Sequence, residues 1–415
     1  MFCVRLEKIN SLQWGVALSI LLYLLLTTFL WFSLDGTISS ITSDLDFYNH
    51  FIVSHFPGWA SEASIEINEI SARIVDLERD GCIGSPFYTI IFLAPIWLFG
   101  SEALLFCLGV SIGILSIFGY YLCLKNCFSG LGNSAKVIIL VLTTLNFNFI
   151  VDSVGVSTMS IAACFVVWSL LAKKYWIRAL LMVCAAMIRS NFAIALIAFF
   201  LVYLILRGSL LKKFLWSIVP SLAVYLLSYK YVFSTYPGGG LNALFFMAYQ
   251  GIDYSQQALL AVLTPSLGIS TESELFRQKI TIPQFIGIAS RPKVIAFLFN
   301  AWALKLSVTL GFVHEKLFSS MHEIFLTKIW RTAYFIFLSL PGMFSAAANI
   351  LLVNISKLER ALYLWAVLYI SINSLLIGDP RYLIGVHFIL ALALVRITTE
   401  LINYKKMTSR SKSSV

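Results

Sequence analysis

The chain has 415 residues, 59% of them apolar and 12% charged, with a mean hydropathy of +0.87 and a formal net charge of +10. Soluble globular domains carry about 45–50% apolar and about 25% charged residues, so that class is excluded. Disordered and collagen-like chains are excluded with it, and seven irregularly spaced cysteines build no disulfide framework. The composition points to an all-α polytopic membrane protein, residues 1–415 forming one membrane domain. Lipid leaves only helices and closed barrels able to satisfy their own backbone, and the sequence lacks the strand alternation of a barrel.

A hydrocarbon core takes about 20 apolar residues to cross, fewer with snorkelling or aromatic flanks. Stretches of this kind predict ten spans, at 12–34, 102–124, 135–151, 155–172, 176–189, 191–206, 214–233, 332–353, 361–378 and 381–398. The first has no small-residue cleavage site and is too long for a signal peptide, so it reads as a retained anchor. Lysine and arginine in short loops set orientation. Arg5 and Lys8 precede the first span, and Lys125 with Lys136, then Lys173, Lys174 and Arg178, then Arg207, Lys212 and Lys213 recur after every second one. Lys357, Arg360 and the basic tail complete the series and predict cytoplasmic termini. The positive balance is thus a topology signal and argues against a nucleic-acid partner. The same scheme makes two apolar runs into surface helices: Pro86 to Phe99, which is short, and Val294 to Phe312, which carries Lys305.

Two large outer loops follow, 35–101 with its surface helices and 234–331 with an interfacial helix. Between Asp35 and Ser85 stand nine carboxylates, against Arg73 and Arg79. The second loop holds eight basic residues, among them Arg291, Lys293, Lys305, Lys316, Lys328 and Arg331. Loops longer than about 60 residues translocate largely regardless of charge. A short outer turn places Asp152 near Asn146 and Asn148, and Asp379 with Arg381 sits at the mouth of the last span. Carboxylates facing cations at one membrane surface suit attack of a hydroxyl on a lipid-linked phosphate ester. A carboxylate takes the hydroxyl proton, and arginine or lysine stabilises the departing phosphate.

Four short motifs carry a resemblance: Ser43-Asp44-Leu45-Asp46-Phe47-Tyr48, Gly84-Ser85-Pro86-Phe87-Tyr88, Ile188-Arg189-Ser190-Asn191, and Asp379-Pro380-Arg381-Tyr382. In order and placement they resemble the GT-C superfamily of membrane glycosyltransferases, in particular the protein O-mannosyltransferase and lipid A aminoarabinose transferase type. The resemblance implies a GT-C-like fold and a polyprenyl-phosphate-sugar donor. Asp44 is then the general base, with Asp46 in reserve because relatives carry a second acid where Leu45 stands. Asp152 matches a second acid of the family. Arg189 and Arg381, with Lys293 and Lys305, become donor-phosphate ligands, and Tyr48, Tyr88 and Tyr382 position the substrate. The acceptor is a hydroxyl of a glycolipid, glycan or protein on the outer or lumenal face. A bacterial inner membrane is preferred to the endoplasmic reticulum.

No cofactor is expected. His50, His55, His314 and His322 share no spacing that suits zinc, and Gly238-Gly239-Gly240 lacks the lysine of a phosphate loop. Two other readings stay open. A lipid-linked polysaccharide polymerase also uses such donors, and the 234–331 loop suits it; a transporter or flippase is the non-enzymatic reading.

Overall fold

The structure is a computed structural model that describes residues 11–33, 102–128, 130–188, 282–310, 325–351, 355–376 and 380–413. The helices are α1 (Ser11–Ser33), α2 (Glu102–Cys127), α3 (Asn133–Thr144), α4 (Phe147–Val154), α5 (Thr158–Leu171) and α6 (Tyr175–Ile188). They continue as α7 (Ile282–Ala289), α8 (Pro292–Thr309), α9 (Phe325–Tyr334), a π-turn (Phe335–Ser339), α10 (Leu340–Leu351) and α11 (Lys357–Leu376). A 3-10 turn (Pro380–Gly385) and α12 (His387–Ser413) complete the described chain.

Four helices among the described residues are long and apolar enough to cross a membrane: Ser11–Ser33, Ala103–Cys127, Ile329–Leu351 and His387–Tyr404. The pair α3 and α4, bent by 58°, makes a fifth if counted as one span. This is the signature of a membrane protein; the described residues give four or five crossings, where ten are expected over the whole chain. The expected spans 191–206 and 214–233 and the loop 35–101 lie outside the described residues. The segments 155–172 and 176–189 form helices of 14 residues each, α5 and α6. At 1.5 Å per residue α5 covers about 21 Å, short of a hydrocarbon core of about 30 Å, and α6 reaches the end of its described stretch at Ile188. The segment 361–378 is α11, starting at Lys357, and 381–398 opens as the 3-10 turn before α12 begins. The 332–353 span starts early, because α9, the π-turn and α10 run on from Phe325, so the end of the 234–331 loop is helical. Pro341 has no N–H to give the carbonyl of Phe337, and the chain widens there into the π-turn.

Helix α1 organises the bundle. Its Tyr23 is fully buried, about 18 Å from the Ser11 end and about 15 Å from the Ser33 end. The Tyr23 hydroxyl lies 2.8 Å from Ser153 Oγ of α4 and donates to the Gly109 carbonyl of α2 at 3.4 Å. Its ring packs on Phe149 at 5.8 Å. Near the Ser33 end Trp31 meets Phe106 at 4.6 Å, so α1 and α2 run antiparallel. Gly109 and Gly113, one turn apart on α2, make these approaches possible. A Cβ at Gly109 would run into the carbonyls of Ser153 and Val154, and one at Gly113 into the Tyr23 ring and hydroxyl.

Helix α5 returns along α2, α6 packs on α5, and α10, α11 and α12 form the other half, with α12 also on α3. Two local devices fix the ends. Arg178 of α6 donates to the Ser169 carbonyl at 3.1 Å and the Ala172 carbonyl at 3.1 Å, a cation closing the C-terminus of α5. Ser356 and Glu359 form a capping box at the start of α11: Glu359 N–H donates to Ser356 Oγ at 3.1 Å and Ser356 N–H to Glu359 Oε2 at 3.0 Å.

The Gly113→Val protein should lose about 1–3 kcal/mol of stability through overpacking against Tyr23. Gly130→Ala, at a position with nothing within 4 Å of the new Cβ, should stay within about 0.5 kcal/mol of the parent. Thermal unfolding of the two proteins in the same lipid checks the contrast.

Candidate functional site

The polar centre of the described bundle is built on a break in a helix. At the end of α3, Thr143 and Thr144 turn their hydroxyls back onto the carbonyls of Ile139 and Leu140, at 2.7 and 2.9 Å. Such back-bonding bends a helix. The Asn146 N–H then bonds the Thr143 carbonyl at 3.3 Å, leaving the Leu142 carbonyl without its regular helical donor. The Tyr334 hydroxyl of α9 takes that carbonyl at 3.3 Å. The Asn146 side chain caps α4, accepting from the N–H groups of Asn148 at 2.9 Å and Phe149 at 3.3 Å. That leaves the Leu145 carbonyl, which Trp330 Nε1–H of α9 meets at 2.9 Å. Each exchange replaces a lost helical bond with a side-chain one.

All eight residues of α4 are buried. Asp152 is 1% exposed and sits on this helix at the height of Tyr23, rather than in the outer turn expected for it. Its carbonyl accepts from Ser157 N–H at 2.8 Å and Ser160 Oγ–H at 3.0 Å. Between Asp152 and Ser157 lies Val156 with φ 49°, a left-handed conformation rare for a β-branched residue. Backbone strain of this kind costs of order 1–3 kcal/mol and persists where the surroundings hold it. Here both flanks are held, since Ser157 also caps α5 through Ser160 N–H at 3.2 Å.

The 3-10 turn Pro380–Gly385 packs against α4, α5 and α8. It carries Arg381 and Tyr382 in its backbone, so the segment expected to bind donor phosphate adjoins the helix of Asp152. After it comes His387, fully buried, with Nδ1 2.7 Å from the Ile384 carbonyl. That contact makes Nδ1 the protonated nitrogen and Nε2 an acceptor. The imidazole meets the Tyr120 ring edge-on at 5.7 Å and lies 5.3 Å from Phe149 of α4.

Helix α8, which the sequence reads as interfacial over Val294 to Phe312, packs on α11 and the 3-10 turn: Trp302 Nε1–H donates to the Ser371 carbonyl at 3.2 Å, and Ser374 Oγ bonds Thr309 Oγ1 at 3.1 Å. Lys305, between these contacts, is 3% exposed, whereas Lys293 is exposed. Twelve residues put the two lysines about 18 Å apart along α8, too far to share one phosphate. Asp44, Asp46, Tyr48, Tyr88 and Arg189 lie outside the described residues.

Two buried residues stand out only in the structure: His387, which has no histidine partner nearby in sequence, and Arg331, which in the sequence is one cation of a long loop. The Arg331 guanidinium is buried 4.9 Å above the Phe147 ring, at the first residue of α4. Its signal in the sequence is the pattern Trp330-Arg331-Tyr334, one helical face of polar-tipped rings around a cation. Among the described residues no three histidine, cysteine or acidic side chains form a group able to hold a metal.

Comparison of the chain with protein-family models, with curated proteins and with solved structures returns no match.

Loss of the cap is the direct probe of the break. Asn146→Ala should cost about 1 kcal/mol, and Asn146→Asp, which keeps an acceptor, should recover most of it. Unfolding in lipid-matched detergent measures both; equal losses would remove the cap from the account.

Proposed function

We propose that the protein is a glycosyltransferase that moves a sugar from a polyprenyl-phosphate carrier to a hydroxyl acceptor, with inversion, on the non-cytoplasmic side of the membrane. The observation that carries this reading is the packing of the turn bearing Arg381 on both the helix of Asp152 and the helix of Lys305. A carboxylate and cationic residues on adjoining elements suit a reaction that takes a proton from one oxygen and leaves charge on a phosphate. Arg331 supports it further, since a buried guanidinium at the positive end of α4 favours an anion there. In this scheme Asp44, or Asp46 beside it, is the base; Arg381 and Arg331 hold the phosphate, with Lys305 and Arg189 as further cations; and Asp152 orients the acceptor. The low-dielectric surroundings strengthen each charge contact.

Transport is the second reading, and one observation favours it: a helix break at the height of Tyr23, of the kind found where secondary transporters bind their substrates. One reconstitution separates the two. Purified protein in sealed vesicles, given a polyprenyl-phosphate sugar and a hydroxyl acceptor, should release a glycosylated product. Asp44→Asn or Asp46→Asn should lower turnover by about 10²- to 10⁴-fold while leaving donor binding in place. Arg381→Lys should weaken donor binding, because an ammonium does not reproduce bidentate contact with phosphate. Full activity in both aspartate variants would overturn the mechanism; flux of the sugar lipid with no covalent product would replace it with transport.

A further inference from the structure

A second site lies on the other side of the 3-10 turn, towards the Cys127 end of α2. A cavity of about 140 Å³ opens between α2, α5, α6, α11 and α12. Its walls are apolar and aromatic, including Tyr120, Phe128, Trp365 and Phe388, and extend over two turns of α2 from Tyr120. The volume is close to that of an engineered apolar cavity of about 150 Å³ that takes up benzene, so it has room for a short length of hydrocarbon. One end is different. There Cys127, Leu358 and Arg178 line the cavity, and Arg178 is its charged residue.

The surface around that end is cationic. Lys173 and Lys174 stand exposed in the turn between α5 and α6, directly before the helix of Arg178, and exposed Lys357 precedes Leu358. The carboxylates of α11 and α12 are engaged: Glu359 in its capping box, and Glu400 with Arg396 at 3.5 Å. A hydrocarbon slot with a rim of lysines at a membrane surface matches an amphiphile with an apolar tail and an anionic head. Juxtamembrane lysines draw anionic headgroups electrostatically.

We infer that this cavity binds an anionic phospholipid, one acyl chain entering beside Phe128 and Trp365 and the headgroup resting against Lys173, Lys174 and Arg178. The site is separate from the proposed chemistry, and its ligand is a membrane component rather than a substrate. Because the cavity shares Gly385 and Phe388 with the segment that follows Arg381, an occupied slot braces that segment from behind.

Cys127, half-buried and lining the cavity, is a built-in reporter. The full chain is placed in nanodiscs of phosphatidylcholine, with and without phosphatidylglycerol, and maleimide modification of Cys127 is followed by peptide mapping. Phosphatidylglycerol should slow modification of Cys127. The Lys173→Ala/Lys174→Ala protein should need about tenfold or more of the anionic lipid for the same protection. Val166→Phe, which fills the cavity, should abolish protection; if that variant fails to fold, the lysine pair on the exposed turn keeps the test intact. Equal modification rates in the two lipids would overturn the inference. So would protection that survives the lysine change, or protection by oleate as strong as that by phosphatidylglycerol.

Discussion

A backbone carbonyl inside a membrane must find a donor within the protein. Everything described here depends on how that constraint is met between Leu142 and Phe149. A straight helix would meet it automatically. This chain instead bends by 58° and transfers the freed groups to side chains: Tyr334 to Leu142, Trp330 to Leu145, and Asn146 to the first amides of α4. Water is not at hand in lipid to share the task. The bend therefore needs α9 beside it, and α9 in turn brings Arg331 to Phe147.

The consequence is a short buried helix at mid-height, where a regular span would pass without interruption. Tyr23 anchors one end through Ser153, and His387 closes against the other through Phe149. Close packing requires glycine on the facing helix, and Gly109 and Gly113 supply it. On this frame Asp152 is held by a strained turn at Val156 and lies on the helix against which the Arg381 turn packs. The arrangement places charged groups where lipid alone would penalise them, a setting that conventionally marks a functional centre in a membrane protein.

Much of this was legible in the sequence, and the rest was hidden for identifiable reasons. Hydropathy located α1, α2 and the Ile329–Leu351 span, because a continuous apolar run is a strong signal. It also located 135–151 as a candidate crossing, but averaging over a window erases the bend inside it, at a break that contains neither proline nor glycine. The cue was the pair of threonines before Asn146, a cap in the middle of an apolar run. Lys305 misled for the opposite reason: a lysine in an apolar helix suggested a surface, yet α8 buries it against neighbours distant in sequence. His387 takes its significance from a contact with Phe149 across 238 positions of chain, which no local pattern encodes, and Arg331 from one with Phe147 across 184, for which the Trp330-Arg331-Tyr334 pattern is the local cue. The motif residues Asp152 and Arg381 were named from the sequence, and the structure brings their elements together.

The central claim is that the α3–α4 break carries Asp152 to the height of Tyr23, about halfway along α1, beside the Pro380–Gly385 turn. A cryo-electron microscopy map of the protein in lipid nanodiscs tests it most directly. The account predicts a bent helix with Trp330 on the Leu145 carbonyl, and Asp152 at the height of Tyr23 next to the turn. A continuous helix through Asn146, with Asp152 at the headgroup level and the Arg381 turn elsewhere, would contradict it.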